Sequence, residues 1–445
     1  MKKLIFLLGL GCSLASYAQT PANTTDAKKP EVKKTAENPS TWGIKFGGFL
    51  RSDMYFDSRQ VVAARPANQG ELLLYPANKS LDANGKDIND AASFNMTSIA
   101  SRLSGMVTGP DAFGAKTSGL LEAEFFGNAN GNENVFRLRH AYAKLDWDKT
   151  QLAFGQYWHP LFVTDCFPGV ISFNTGMPFQ PFARNPQVRL TQKLNSSFNL
   201  ILAMVSQTEA FVSPGSSTGI ALGSSAAAQT FINDAVMPNL HAQLQYKTPA
   251  LVAGVALDYK SLRPALKVAS APSASTYVAT TENVNSTTLE AYAKITTKDV
   301  VIKGEYVRGQ NMYDHLMMGG YLAYGAAPNI TYSPIQVNSM WFEIAGTSKT
   351  LIPGLFVGYT NNEGSTDAGA AVASYARGIA ANGASLDHIL RVAPRLEFVS
   401  GKFKFGTELE ITSAGYGTAN TTGRVPTVNA DVTNTRVLFV TTYSF

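Results

Sequence analysis

Cysteine, histidine and long apolar runs are what this chain has least of. Its 445 residues hold two cysteines, Cys12 and Cys166. Cys12 lies in an N-terminal leader, so the remaining chain keeps one thiol and an intramolecular disulfide is excluded there. The five histidines, His140, His159, His241, His315 and His388, are scattered. No HExxH, GxSxG or cysteine cluster accompanies them, so the motifs of zinc hydrolases and nucleophile-elbow enzymes are missing and no catalytic residue is assigned. Past the leader no stretch approaches the roughly 18 consecutive apolar residues that a spanning helix needs. Charge is sparse as well, at 16% Asp, Glu, Lys and Arg against 45% hydrophobic residues. The net charge of +5, part of which leaves with Lys2 and Lys3, is too mild for a nucleic-acid partner.

What is present begins with that leader. Lys2 and Lys3 precede the apolar run "LIFLLGLG" and the small-residue site Ser16-Tyr17-Ala18. This pattern reads as a secretory signal peptide over 1–18, cleaved after Ala18. Gly9 stands three residues before Cys12, where lipoprotein processing favours a bulky aliphatic residue, so ordinary cleavage is the expectation. Residues 19–41 are polar, Pro-interrupted and free of heptads, which reads as a flexible periplasmic linker.

The other end of the chain is "TRVLFVTTYSF". Thr435, Val437, Phe439, Thr441, Tyr443 and Phe445 share one face of this stretch, and Arg436, Thr442 and Ser444 share the other, because side chains alternate along a strand. A terminal aromatic frays in water, whereas a bilayer gives it a seat. Segments of similar length begin at Trp42, Ser98, Ser118, Phe136, Thr150, Gln187, Phe198, Asn239, Leu251, Thr287, Val300, Val337, Leu355, Asp387, Phe403 and Thr433. Short links such as "DWDKT", "KLNSSF", "YKTPAL", "ITTKDV", "KTLIPGL" and "VSGKF" fall at alternate junctions, and long Gly/Ser/Ala-rich ones separate the rest. The expected fold is therefore all-β: a transmembrane antiparallel barrel of about sixteen strands over 42–445, with short periplasmic turns and long extracellular loops, in the outer membrane of a Gram-negative bacterium. A secreted β-sandwich explains neither the turn asymmetry nor the terminal Phe.

Strand parity assigns facing, with the apolar face toward lipid. Arg102, Arg137, Arg139, Arg189, Arg391, Arg395 and Arg436 then point into the lumen, with Glu122, Glu124, Glu397, Glu408 and Glu410. A planar guanidinium grips carboxylate or phosphate through two parallel hydrogen bonds, so these arginines form a candidate ladder for small anions. The other reading is that they pair with the carboxylates across the lumen and stiffen the wall.

The connection "WHPLFVTDCFPGVISFNTGMPFQPFARNP", residues 158–186, is aromatic and Pro-rich, unlike the other loops. Such a segment needs something to pack against, so it is expected to fold into the barrel as a constriction, with Asp165 and Arg184 as candidate charges there and Cys166 as a packed thiol; packing against a neighbouring barrel is the competing reading. In "LDANGKDIND", Asp82, Asn84, Asp87 and Asp90 could donate oxygens to calcium, but the Gly spacing misses the helix-loop-helix pattern and a solvated loop is the simpler reading. No cofactor or resident metal is expected.

The segments "SRLSGMVTG", "GLLEAEFFGN", "FRLRHAYAKLDW" and "LAFGQYWHPLF", in this order and spacing, resemble the DcaP-like porins of the bacterial outer membrane. The match runs from Ser98 to Phe162. It implies a sixteen-stranded trimeric diffusion porin for small anionic nutrients such as dicarboxylates, with Arg102, Arg137 and Arg139 in the place of the family's lumen arginines. Family members often carry an N-terminal coiled coil, which the Pro-containing linker here cannot form, so trimerisation would rest on the barrel walls. Phosphate-selective porins share a similar look. The contrasting reading is a structural or adhesive barrel whose long outer loops bind a partner. Replacing Arg137 and Arg139 with Ala is expected to lower anion preference without abolishing insertion, read as the reversal potential under a salt gradient.

Overall fold

The computed structural model describes residues 42–64, 70–127, 134–206, 237–367, 369, 371–380 and 383–445. The expected signal peptide, the linker and most of the connection after Ser206 lie outside these residues. Sixteen wall strands follow one another: β1 (Gly43–Asp57), β2 (Arg102–Ala112), β3 (Ala115–Glu124), β4 (Arg137–Asp146), β5 (Thr150–Trp158), β6 (Arg184–Lys193), β7 (Phe198–Val205), β8 (Asn239–Lys247), β9 (Leu251–Leu262), β10 (Val284–Thr296), β11 (Val300–Gln310), β12 (Asn329–Gly346), β13 (Leu351–Ser365), β14 (Ala384–Ser400), β15 (Phe403–Thr418) and β16 (Val428–Ser444). Each is antiparallel to its neighbour, and the sheet closes where β16 pairs with β1 from Phe49↔Ser444 to Asp57↔Arg436. The terminal residue completes the seam, with the Phe445 N–H donating to the Gly48 carbonyl at 3.1 Å and Gly48 returning a bond at 3.3 Å. Closure leaves no open edge, which is what allows strands to cross hydrocarbon.

The expected starts coincide with the observed ones at Thr150, Phe198, Asn239, Leu251, Val300 and Phe403. The largest gap is at β12, expected from Val337 and found from Asn329. Its extra length pairs with Gly319–Ala326, which pairs in turn with Ala371–Arg377, so this part of the sheet continues past the wall on residues without clean alternation. The stretch from Asp57 to Asn95 is also more ordered than a plain loop. Val61–Ala63 pairs with Leu73–Pro76, and Ser93–Thr97 pairs with the end of β1.

Outside, the wall carries exposed Phe46, Leu50, Met106, Leu121, Val255, Leu289, Phe342, Leu396 and Phe439, an apolar surface spread around the barrel. In water this would be an aggregation surface; against acyl chains it is matched. Inside, a second apolar region joins inward loops to the wall, with Leu72, Phe126, Phe179, Trp341, Phe356 and Leu386 all buried in it. Phe439→Arg, on the outer face near the middle of the crossing part of β16, is expected to cost about 2–4 kcal/mol. Urea unfolding of the barrel in phospholipid vesicles measures it, and unchanged stability would mean that this face does not meet lipid.

Candidate functional site

The segment after Trp158 leaves the wall and crosses the interior before β6 resumes at Arg184. Its contacts map the crossing. Cys166 Sγ donates to the Ala293 carbonyl of β10 at 3.3 Å, the Phe167 carbonyl accepts from Lys303 of β11 at 2.9 Å, and Ser339 of β12 donates to the Phe179 carbonyl at 2.8 Å. Farther round, the Ile171 and Ser172 N–H groups donate to Glu408 of β15 at 2.7 and 3.2 Å, and Asn174 donates to Glu410 at 2.6 Å. Glycine makes the approach close enough at two places. A Cβ on Gly169 would lie 2.9 Å from an Arg395 nitrogen, and one on Gly358 of β13 would strike the Phe179 ring at 2.5 Å. Cys166 is fully buried in this packing.

Several of the expected pore-lining charges are spent on holding such loops. Arg391 is fully buried and donates to the Met177 carbonyl at 2.7 Å, the Leu74 carbonyl at 2.9 Å and Thr412 at 2.8 Å. Arg436 grips Asp57 through two bonds of 2.9 and 2.7 Å and also reaches the Gly70 carbonyl. Arg395 lies 3.3 Å from Glu343 and 3.4 Å from Glu397, and Glu397 also takes Lys404 at 2.7 Å. At Arg139, Arg391, Arg395, Arg436, Glu124, Glu408 and Glu410 the pore-lining expectation gives way: all seven are buried, taken up by groups of inward loops or by oppositely charged side chains of the wall. Asp165 and Arg184 do not face each other. Asp165 pairs with Lys247 at 2.8 Å, and Arg184 is buried 3.7 Å from Glu124.

A different cluster gathers Arg102, Arg137, Arg139 and Arg184 around Glu122 and Glu124. Arg137 meets Glu124 at 2.7 Å, Arg139 meets Glu122 at 2.8 Å and also Glu124, and Arg102 meets Glu124 at 3.3 Å. Glu122 and Glu124 thus tie these four guanidinium groups together, and Arg102 and Arg137 keep part of their surface open. A bulge between β3 and β4, where Glu122↔His140 is followed by Ala123↔Leu138, turns Arg139 and His140 to the same side and shifts parity for the rest of β4. Tyr142 and Lys144 face the lumen as a result.

Below that cluster, toward the short-turn end, lies a cavity of about 410 Å³ bounded by β4–β8 and by the inward loop at Phe162 and Asp165. Lys144, Arg189, Lys193 and Lys247 all line it. Lys247 has Asp165 as a partner, but Arg189 donates to Gln187 at 2.9 Å and to the Trp158 carbonyl, and Lys193 to the Asp148 carbonyl at 3.2 Å. Among the described residues Lys144, Arg189 and Lys193 have no carboxylate partner. Of these, strand parity had singled out Arg189 alone. The signal for the lysines is spatial, several strands converging on one cavity.

Three of the scattered histidines also converge. The His159 ring centroid is 4.6 Å from that of His315 and 6.1 Å from that of His241, and Asp258 Oδ2 stands 3.3 Å from His241 Nδ1 and 3.7 Å from His159 Nε2. His159 Nδ1 accepts the Leu161 N–H at 3.2 Å, which puts the proton of the neutral ring on Nε2 and leaves no lone pair there for a metal. Among the described residues no three His, Cys, Asp or Glu side chains are placed to hold a metal ion. In the stretch holding Asp82, Asn84, Asp87 and Asp90, Asp82 and Asp87 each turn a carboxylate oxygen onto the loop's own backbone. Asp82 accepts the N–H groups of Asn84 and Lys86, and Asp87 accepts those of Ser80 and Asn89 and meets Arg59 at 3.2 Å. The bond from Ser80 is the main reason that the Asp87 carboxyl is held below its ordinary value.

No protein-family model matches the chain, and no curated protein matches it by sequence. Solved structures do. The outer membrane channel DcaP of Acinetobacter baumannii superposes with a TM-score of 0.63 at 16% identity, over 91% of this chain and 97% of that one. Outer-membrane expressed OmpT of Vibrio cholerae gives 0.52 at 12% identity over 91% and 98%, and an anion-selective porin from Comamonas acidovorans 0.52 at 10% over 91% and 100%. The fold is that of an outer-membrane porin barrel. It is more particularly DcaP-like, as the motifs between Ser98 and Phe162 led one to expect.

Removing one member of a buried ion pair strands the other. Arg436→Ala is therefore expected to cost about 3–5 kcal/mol, and the Arg436→Leu/Asp57→Leu double substitution less than that. Urea unfolding in detergent gives both values, and equal losses would mean that charge compensation is not what Arg436 supplies.

Proposed function

We propose that the protein is an outer-membrane porin for passive diffusion of small hydrophilic solutes, with a preference for small anions, among which dicarboxylates are the candidates. Its leader (1–18) would direct export and its linker (19–41) would extend into the periplasm. The observation that carries the anion preference is the cavity bordered by Lys144, Arg189 and Lys193, whose charges are left to be met by a solute. Guanidinium and ammonium groups beside a low-dielectric wall raise the local concentration of anions and lower that of cations. One structural neighbour is itself described as an anion-selective porin. Catalysis has no place in this reading, in which the charged groups hold loops or face a passage.

The apolar outer wall would sit among outer-membrane lipids, and three copies would associate through it. Against the alternative of an adhesive barrel stands the polar, cation-bordered cavity between the loop and the wall, which a plug would have no use for. Single-channel recording in a planar bilayer tests the proposal, with conductance in steps of three and an anion-favouring reversal potential expected. A folded, heat-modifiable barrel that stays silent would overturn it in favour of partner binding by the outer loops. The Lys144→Gln/Arg189→Gln/Lys193→Gln variant is expected to insert normally and to lose most of the anion preference. Unchanged selectivity would move that role to Arg102 and Arg137.

A further inference from the structure

Charge alone would serve a small aliphatic anion, yet the cation-bordered cavity contains more than charge. Tyr142 of β4 and Tyr157 of β5 both line it. Their ring centroids are 4.7 Å apart with planes at 62°, so the two rings form an aromatic corner. The Arg189 guanidinium stands 5.1 Å from the Tyr157 ring centre, and the Lys144 ammonium 5.9 Å from that of Tyr142. Cations therefore border both walls of the corner. Asn199 of β7 lines the same cavity and adds an amide.

A pyranose ring has a face of C–H bonds and an equator of hydroxyl groups. The C–H face is weakly positive and packs on the negative face of an aromatic ring, while the hydroxyls need amide or hydroxyl partners. An acid group on the same ring would draw it to the bordering cations. The volume of about 410 Å³ falls within the roughly 300–1,000 Å³ typical of small-molecule sites. A dicarboxylate would use the cations and leave the aromatic corner idle. A neutral sugar would use the corner and leave the cations unmet.

We infer that this cavity is a binding subsite for a carboxylated monosaccharide, whose ring packs in the Tyr142–Tyr157 corner and whose carboxylate meets Lys144 and Arg189. The inference rests on the anion-conducting reading above and narrows its solute. The subsite is shallow by design in the sense that a pore must release what it holds, so it prolongs passage without trapping the solute.

The test is current noise from the full-length protein in planar bilayers, recorded in chloride with added glucuronate, glucose or succinate. Glucuronate is expected to dwell several-fold longer than glucose or succinate. Tyr142→Ala/Tyr157→Ala should bring its dwell time down to that of succinate, and Lys144→Gln should shorten it toward that of glucose. Should the double variant fail to fold, Tyr157→Leu keeps the bulk and removes one aromatic face, with the same direction expected. A channel that prefers chloride but holds glucuronate no longer than succinate overturns the subsite, and so does a glucuronate dwell time indifferent to the tyrosines. A channel without anion preference would instead overturn the reading on which it rests.

Discussion

Every loop that enters the barrel brings backbone N–H and C=O groups into a space with little water to satisfy them, and most of the interior follows from how they are paired. The wall cannot supply those partners from its own backbone, because the ladder between strands already uses them. Long charged side chains are what remains. Arg391 reaches the carbonyls of Met177 and Leu74, so one guanidinium ties two inward segments to β14. Glu408 does the converse, collecting the N–H groups of Ile171 and Ser172. A charged hydrogen bond is stronger than a neutral one, and in a low dielectric it is the arrangement that repays burial.

This demand divides the charged residues of the lumen into two populations. Those that hold loops sit beside compensating charge, as Arg436 does with Asp57, and project little field into the passage. Those on β4 and β6 near the short-turn end have no loop backbone to hold beyond the Trp158 and Asp148 carbonyls, which under the proposed function leaves their field to act on a solute. Counting lumen-facing arginines therefore overstates the selectivity they supply. What matters is which cations lack a carboxylate nearby.

The sequence shows the first level of this organisation well and the second poorly. Period-two alternation and the contrast of short and long links mark the strands because a wall between lipid and lumen must alternate, as "TRVLFVTTYSF" does. The same alternation identifies Arg391 and Arg436 as inward-facing but is silent on burial, since nothing local marks Leu72–Tyr75 as a segment that folds in beneath them. The aromatic, Pro-rich character of 158–186 does mark the larger inward loop, because such residues are costly to leave in water. Parity fails at the bulge at Arg139 and His140, where one extra residue changes the face of the rest of β4. The histidine cluster is invisible for a different reason: His159, His241 and His315 come from two loops and a strand far apart in the chain.

The two populations also explain how one barrel can be both rigid and permissive. A passage conducts well only if each site along it holds the solute weakly, and a free cation facing a buried carboxylate would form a fixed pair rather than a transient one. Placing the tight pairs behind the inward loop keeps its position fixed, so the bore does not fluctuate with the solute. On the proposed anion-conducting reading, Lys144, Arg189 and Lys193, which have no carboxylate partner among the described residues, would let an arriving anion displace water instead of breaking an existing salt bridge. The attraction would then enter directly as a lowered barrier. Lys247 stands between the two cases: its bond to Asp165 is partly exposed, at 48% and 35% of the side-chain surfaces, so solvent screens the pair and, on the proposed reading, a competing carboxylate would exchange with Asp165 at small cost.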